Sequence, residues 1–335
     1  MTHRERVLKT FHFEQIDRPA YDLTEGRAWD SLIKYFDRKY SINSALEILD
    51  FLDTDFRWVW MDKNEAEQKN PPGAHPKTIA HGPLSNAVSI GEVEAYDWIN
   101  PSDYAVGDLS EERRKWPNHA LVFVPGWFPI FWTACEVFGV EAALVKMKTE
   151  PRIFQAFLEK HQELCMDILK RGVSAAKEQC DIFWYGDDFA SQTSLLISPA
   201  DWRKFIKPYL AEQVNVAKSE NMLVMYHSCG AIRPILPDLV EVGIDGLTVV
   251  QTTAAGMDSQ SLAKEWGGKL VFYGAMDVQH LLSFGSVHEV QKAVLENAQA
   301  FADSGGYIVA NSHTIDSIKG ENIEMMCKTA REIVF

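Results

Sequence analysis

A histidine and a cysteine stand two positions apart at the end of an apolar run, Met222 to Tyr226, which predicts a buried strand. Because successive side chains of an extended chain alternate between faces, His227 and Cys229 project to the same side, about 7 Å apart along the chain. Imidazole and thiolate are both good zinc donors, and a thiolate is also a nucleophile. The pair is therefore a candidate metal or nucleophile site. The alternative is a core cysteine beside a hydrogen-bonded histidine.

Two carboxylates follow a second hydrophobic strand, which is predicted at Asp181 to Tyr185. Asp187 and Asp188 could ligate a metal, donate a proton or bind a substrate through hydrogen bonds. The alternative is an aspartate that caps the next helix. We predict that at least one of the two is functional, and we place Tyr185 among the candidate substrate contacts.

Other polar or aromatic residues also follow predicted strands. Gln251 and Asp277 are candidate substrate contacts, although a turn hydrogen bond is the alternative for Gln251. Ser312 and His313 follow the last strand, where a hydroxyl and an imidazole could orient a substrate, and a capping serine is the alternative. Trp127 is a candidate pocket residue, whereas the other aromatic residues near it in sequence are predicted to belong to the core.

Eight predicted strands alternate with helices along the chain, a pattern typical of parallel strands joined by right-handed crossovers. Eight such units over about 300 residues favour a closed (β/α)8 barrel, and no G-x-G-x-x-G follows any strand. We therefore predict one TIM-barrel domain spanning residues 1–335, with N-terminal helical additions. The predicted strands are Ala20 to Leu23, Phe56 to Met61, Leu121 to Val124, Asp181 to Tyr185, Met222 to Tyr226, Gly246 to Val250, Lys269 to Tyr273 and Tyr307 to Ala310.

Composition and charge narrow the class of partner. The formal charge of -14 argues against nucleic acid or an anionic membrane as the principal partner, since either would need a clustered basic surface. The sequence contains no run of about 18 apolar residues, so no transmembrane helix is expected. Five scattered cysteines without a C-x-x-C pair indicate reduced thiols in a cytoplasmic protein. The first residues offer a capping box, Thr2 with Glu5, and no secretory signal is expected.

A long polar excursion interrupts the early part of the chain. Residues 62–82 carry Pro71, Pro72, Gly73 and Pro76 among polar side chains. Loops of this length are usually functional or disordered, so we expect a lid or a similar excursion there.

The same residues carry a resemblance to the uroporphyrinogen decarboxylase superfamily, particularly to its branch of corrinoid-dependent methyltransferases. The resemblance extends over almost the whole chain and implies the (β/α)8 barrel that the strand count also favours. The phrases that carry it are Arg4-Glu5-Arg6-Val7, Gly186-Asp187-Asp188, Leu196 to Pro199 with Phe205 to Pro208, His227 to Gly230, Asp238 to Asp245, Ala255 to Met257 and Gly305 to Ile308.

The resemblance implies zinc held by a His-x-Cys pair, which His227 and Cys229 match. The third zinc ligand of these methyltransferases is a cysteine after the last strand, and Ser312 occupies that position. A neutral hydroxyl is a poor zinc ligand. Either Asp187, Asp188 or another carboxylate then completes the site, or zinc is weakly bound or absent.

Two chemistries compete within the superfamily. The decarboxylases carry an Arg-Gln-Ala-Gly-Arg segment that binds the acidic arms of the tetrapyrrole, whereas this chain has Ala20-Tyr-Asp-Leu-Thr-Glu-Gly-Arg27 at that place. The resemblance therefore favours a methyltransferase that acts on a small substrate, such as a methoxylated aromatic or a thiol. No corrinoid-binding D-x-H-x-x-G motif occurs, so the corrinoid is expected from a separate protein. The alternatives are a uroporphyrinogen decarboxylase and a non-catalytic relative. The oligomeric state, monomer or homodimer, is left open.

Overall fold

Eight parallel strands form one sheet in the computed structural model, which describes residues 1–23, 29–63, 81–314 and 318–334. The strands are β1 (Ala20–Tyr21), β2 (Phe56–Trp60), β3 (Ala120–Val124), β4 (Ile182–Gly186), β5 (Leu223–His227), β6 (Gly246–Val250), β7 (Val271–Met276) and β8 (Tyr307–Asn311). Their order around the sheet is β1-β8-β7-β6-β5-β4-β3-β2, and all paired neighbours are parallel.

The first and second strands meet at the seam of the barrel. The backbone N–H of Asp55, just before β2, donates to the carbonyl of Tyr21 in β1 at 3.0 Å. This bond brings the two edges of the sheet together, so the sheet forms a nearly closed (β/α)8 barrel. All eight predicted strands are confirmed, although β1 has two residues where four were predicted.

Helices surround the barrel and cover its amino-terminal end. They are α1 (His3–Phe11), α2 (Asp30–Tyr40), α3 (Ala45–Leu52), α4 (Ile90–Glu94), α5 (Leu109–Lys115), α6 (Ile130–Phe138), α7 (Val140–Thr149), α8 (Pro151–Ala176), α9 (Pro199–Phe205), α10 (Lys207–Lys218), α11 (Leu236–Glu241), α12 (Ser259–Trp266), α13 (Leu281–Phe284), α14 (Val287–Ala300) and α15 (Gly320–Glu332). The short 3-10 turns are Pro101–Asp103 and Arg233–Ile235.

Helices α9 and α10 are divided near Pro208, because proline has no N–H to continue the hydrogen-bond ladder. Most of the excursion predicted at residues 62–82 lies outside the described residues. At its start, Asp62–Lys63 pairs antiparallel with Tyr104–Ala105.

The amino-terminal end of the barrel is closed by α1, which begins with the predicted capping box of Thr2 and Glu5. Val7 and Phe11 pack inside the barrel against the inward-facing residues of the strands. A Cβ atom at Gly246 would lie 2.9 Å from the ring of Phe11, so this position in β6 requires glycine. The closed end leaves the carboxyl ends of the strands as the open mouth.

A buried ionic network holds the seam between β1 and β2. The Asp55 carboxylate accepts hydrogen bonds from Arg6 at 2.7 Å, from Arg18 at 2.8 Å and from the backbone N–H of Tyr21 at 2.9 Å. His3 adds a contact at 2.8 Å. Burial would raise the pKa of Asp55, but these partners lower it overall. The carboxylate is therefore charged and links α1 to both strands of the seam.

Within the described residues, no helix combines the length and the apolar character needed to cross a membrane. All five cysteines are unpaired thiols. Four of them are buried, and Cys229 alone among the five is partly exposed. The exposed one is the cysteine of the His-x-Cys pair.

Candidate metal centre at the barrel mouth

Three potential metal ligands come together where β4 and β5 end. His227 is the last residue of β5, Cys229 follows it by two positions, and Asp188 lies two residues beyond β4. The Cys229 Sγ lies 3.5 Å from His227 Nε2, and Asp188 Oδ1 lies 3.5 Å from the same nitrogen. The three ligand atoms all lie within 4.8 Å of one another. Because β4 and β5 are neighbours, their ends bring these side chains together.

The backbone helps to hold this cluster in place. The N–H of Cys229 donates to Asp188 Oδ1 at 2.9 Å, so the loop after β5 is tied to the loop after β4. A carboxylate that accepts a backbone N–H keeps one orientation without the entropy cost of a free side chain. The cluster is thus preorganised by the strands and by one loop-to-loop hydrogen bond.

The three groups stabilise one another as ions. Burial raises the pKa of Asp188, but the hydrogen bond and the charge of His227 outweigh it and lower this pKa to about 2. Burial opposes the imidazolium form of His227, yet the Cys229 thiolate and the Asp188 carboxylate raise its pKa to about 10. Burial also raises the pKa of the Cys229 thiol, and His227 reverses that effect, so this pKa is lowered overall. A thiolate and a carboxylate therefore flank one imidazolium.

This donor set fits zinc. A tetrahedral zinc ion with bonds of about 2.0–2.3 Å holds its ligand atoms roughly 3.3–3.8 Å apart, and two of the pairs in the cluster are 3.5 Å apart. Thiolate, imidazole and carboxylate are the three donor types that zinc takes in proteins. Metal binding would displace the imidazole proton, since a ligating histidine must be neutral. Asp188, His227 and Cys229 thus have the donor chemistry of a zinc site, and the two distances from His227 match its spacing.

His313 lies beside this cluster, and Ser312 precedes it in the turn after β8. The His313 imidazole contacts the Cys229 thiol, and this contact raises the pKa of His313. Ser312 is buried, and its backbone bonds to neighbouring strands: its N–H donates to Met276 at 2.9 Å, and its carbonyl accepts from Gln251 at 3.4 Å. His313, which follows the position of the cysteine in the related methyltransferases, therefore contacts the thiol.

Asp187 lies outside the cluster and caps a helix. Its two carboxylate oxygens accept the N–H groups of Phe131 at 2.6 Å and Trp132 at 2.9 Å, in the first turn of α6. The N-cap residue of α6 is Pro129, whose side chain makes no capping hydrogen bond, so Asp187 supplies the cap from a neighbouring strand. Complete burial nevertheless raises its pKa to about 7. Of the two adjacent aspartates, the structure brings only Asp188 to the histidine and the cysteine.

Gln251 connects three of the loops around the mouth. Its Oε1 accepts from Gln192 Nε2 at 2.6 Å and from the backbone N–H of Gly230 at 2.9 Å. Its Nε2 donates to the carbonyl of Ser312 at 3.4 Å. Gln251 is buried and fixes the loop next to Cys229 against the loop next to His313, so its contacts here are with protein.

Asp277 and Tyr185, both predicted substrate contacts, bind elements of the fold. Asp277 accepts the backbone N–H groups of Gln279, His280 and Leu281 and caps α13. Tyr185 is fully buried between the sheet and the helices, where its hydroxyl donates to the carbonyl of Phe128. The structure does not bring either side chain to the cluster.

Trp127, a predicted pocket residue, lies at the mouth, and three further tryptophans lie with it. Its ring centroid is 5.6 Å from that of His227 and 5.8 Å from that of Trp184. We call Trp58, Trp60, Trp127 and Trp184 the tryptophan cluster. Trp184 contacts the other three and also lies 5.8 Å from His227. Strand alternation could have identified Trp184, because it faces the opposite side of β4 from Tyr185.

The fold and the donor cluster define a (β/α)8-barrel protein with a candidate metal centre at the carboxyl ends of its strands. The family model described as Uroporphyrinogen decarboxylase (URO-D) matches residues 129–333. This match covers more than half of the chain, so the protein belongs to the uroporphyrinogen decarboxylase family.

Solved structures match this chain at low sequence identity. A structure described as a methyltransferase from Methanosarcina mazei is 15% identical, with a TM-score of 0.70, and the match covers 99% of each chain. A B12-independent methionine synthase from Shewanella sp. W3-18-1 is 11% identical, with a TM-score of 0.45 and coverage of 94% of this chain and 92% of that one. No curated protein matches the sequence.

Proposed function

We propose that the protein is a methyltransferase that moves a methyl group between a small substrate and the cobalt of a corrinoid carried by a separate protein. The observation that carries this proposal is the cluster of Asp188, His227 and Cys229 at the mouth of the barrel. Membership of the family, and the similarity over nearly the full chain to a structure described as a methyltransferase, support it.

Asp188, His227 and Cys229 would hold zinc in this proposal, with His313 beside the thiolate. Bound zinc would supply a Lewis acid that polarises an ether oxygen or lowers the pKa of a thiol substrate. Asp188 has a second task, because its bond to the N–H of Cys229 orients the thiolate. Gln251 positions the loops on either side.

The tryptophan cluster gives the substrate an apolar surface and keeps water from the reacting atoms. Trp60 and Trp127 are 42% and 39% exposed, which is unusual for indoles and typical of a binding surface. A methoxylated aromatic suits these rings. In that reaction the methyl C–O bond would break with its electron pair left on the phenolic oxygen, and the reduced corrinoid of the partner would accept the methyl group. With a thiol substrate the methylated corrinoid would be the donor: the thiolate sulfur would form the new S–C bond, and the electron pair of the broken bond would return to the corrinoid.

The corrinoid is proposed to come from a partner protein because the sequence has no D-x-H-x-x-G motif. The partner would approach the open mouth, since α1 closes the other end of the barrel. The five unpaired thiols support a reducing cytoplasmic location.

Family membership makes uroporphyrinogen decarboxylation the second candidate. Its substrate carries eight carboxylates, which need basic partners. Neither lysine nor arginine occurs among the described residues at the strand ends, which are 22–23, 60–61, 124–128, 186–188, 227–230, 251, 276–278 and 311–314. The arginine-rich segment of the decarboxylases is also replaced at residues 20–27, of which 24–27 lie outside the described part. The described mouth is therefore poorly suited to a polyanion.

The proposal is tested by offering the zinc-loaded protein both reactions. We expect conversion between cob(I)alamin and methylcobalamin, followed by absorbance, with a panel of methoxylated aromatics and thiols, and no measurable coproporphyrinogen from uroporphyrinogen. Methyl transfer without any cobalamin would refute the corrinoid dependence. Coproporphyrinogen formation at an ordinary enzymatic rate of roughly 1 per second or more would replace the methyltransferase by the decarboxylase.

A further inference from the structure

The tryptophan cluster extends from the candidate metal centre to the first strand of the barrel. Trp184 lies 5.8 Å from His227 on one side and 6.1 Å from Trp58 on the other, measured between ring centroids. Trp58 in turn lies 6.3 Å from the ring of Tyr273. These aromatic side chains form a continuous inner wall that begins at the metal centre and ends at β1.

A buried carboxylate stands at the far end of this wall. Asp22 follows β1 directly, and its backbone N–H bonds to Val309 of β8 at 3.0 Å. Its Oδ2 accepts two hydrogen bonds of 2.8 Å, one from Trp58 Nε1 and one from the Tyr273 hydroxyl. Its Oδ1 is buried and has no hydrogen-bond partner. Such an oxygen costs free energy unless a ligand or a proton compensates it.

The missing partner is best supplied by a cation. The side chain of Asp22 is fully buried, and burial raises its pKa to about 7, although Trp58, Tyr273, the backbone of Leu23 and the charge of Arg57 oppose the shift. A neighbouring positive charge would favour the carboxylate form. On the other side of the tryptophan cluster lies a second carboxylate, Asp188, next to His227. Acidic groups thus lie at both ends of the aromatic wall.

The indole rings also favour a positively charged ligand. The Nε1 of Trp58 is bonded to Asp22, and that of Trp184 donates to Thr248 Oγ1 at 2.9 Å. Both indole N–H groups are therefore already bonded within the protein and are not free to bind an anionic group of a ligand. A π face attracts cations, and several such faces with a carboxylate are the usual receptor for alkylated ammonium groups.

We propose that Asp22, Trp58, Trp127 and Trp184 form a subsite for an alkylated ammonium group of the substrate. This inference rests on the proposed function in one respect: the reacting heteroatom of the same substrate would lie next to Asp188, His227 and Cys229. Since Trp184 contacts both His227 and Trp58, the ammonium group and the heteroatom would lie along the same aromatic wall. The substrate is then a small cationic molecule and not an aromatic acid.

Choline and its neutral isostere 3,3-dimethylbutan-1-ol test the subsite, because they share a shape and differ in charge. Binding is measured by calorimetry and tryptophan fluorescence on the zinc-loaded protein without corrinoid. We expect choline to bind at least about tenfold more tightly than the isostere. Asp22→Asn should remove this difference, and Asp53→Asn, at the closed end of the barrel, should keep it.

Trp127→Leu serves as a second variant because Trp127 is exposed and its replacement does not open the core. We expect it to weaken choline binding about tenfold while the fold, followed by circular dichroism, is unchanged. Equal affinity for choline and the isostere, no binding of either, or a preference for 4-methoxybenzoate over choline would overturn the inference.

Because this assay contains no corrinoid, its result is independent of methyl transfer. Choline binding without methyl transfer from any substrate would support the subsite and contradict the proposed function. Methyl transfer from neutral aromatics with no preference for choline would support the proposed function and contradict the subsite.

Discussion

Cys229→Ser is expected to lower the affinity for zinc at least about 100-fold and to reduce methyl transfer to background, with little change in stability. The substitution replaces a thiolate by a poor zinc ligand of nearly the same size. Cys229 lies at the mouth, partly exposed, so no large cavity opens. The free energy of unfolding should change by less than about 1 kcal/mol. Zinc titration with a competing chelator and denaturant unfolding measure the two quantities.

Neighbouring variants provide the controls for this result. Ser228→Ala changes the residue between the two ligands and should leave zinc affinity nearly unchanged. His227→Ala should resemble Cys229→Ser, and the double variant should lose little more, since the two residues act as one unit. Ser312→Cys restores the cysteine of the related methyltransferases and should tighten zinc binding. Full activity of Cys229→Ser, with no zinc in the natural protein, would contradict the zinc site and leave the carboxylate of Asp188 to carry the chemistry.

Asp55→Ala is expected to destabilise the protein by about 3–5 kcal/mol, because it leaves the buried guanidinium groups of Arg6 and Arg18 without their shared partner. The loss would fall on the seam between β1 and β2, which Asp55 joins through its side chain and its backbone. Urea unfolding at neutral pH measures the change.

The exposed neighbour Asp53 is the matched control. Asp53→Asn removes only a contact of 3.3 Å to His3 and keeps a residue type that tolerates the left-handed conformation found there, so its effect should stay below about 1 kcal/mol. Because the pKa of Asp55 is lowered, its contribution to stability is full above about pH 4 and is lost as the pH falls further. A loss below about 1 kcal/mol in Asp55→Ala would contradict the role of the network.

The barrel could be predicted from the sequence because its strands are short apolar runs that alternate with helices. β3 illustrates this: all five of its residues are buried, as expected for a parallel strand covered on both faces. β1 was the weakest prediction, and it has two residues whose pairing depends on β8 and on Asp55, both distant in sequence.

The His-x-Cys geometry was predictable because it depends only on the alternation of side chains along a strand. The same rule separates Trp184, which faces the mouth, from Tyr185, which faces the helices. Capping was harder to predict. Asp187 caps α6, which precedes it by more than 40 residues, and nothing in the local sequence distinguishes it from Asp188.

Contacts between loops could not be derived from spacing. Gln251 bonds to the loops after β4, β5 and β8, and the positions of these loops follow from the closed barrel. The contacts at Ser312, which replaces the cysteine of the related methyltransferases, also depend on how the loops are arranged in the barrel. Sequence comparison aligns Ser312 with the missing cysteine, but the turn after β8 brings the imidazole of the next residue, His313, to the Cys229 thiol.

X-ray absorption at the zinc edge of the purified protein shows whether Asp188, His227 and Cys229 bind zinc. We expect one zinc ion per chain, with one sulfur at about 2.3 Å and the remaining ligands nitrogen or oxygen at about 2.0–2.2 Å. The sulfur signal should disappear in Cys229→Ser. Protein that binds no zinc, or zinc whose shell contains no sulfur, would show that these three residues do not form a zinc site.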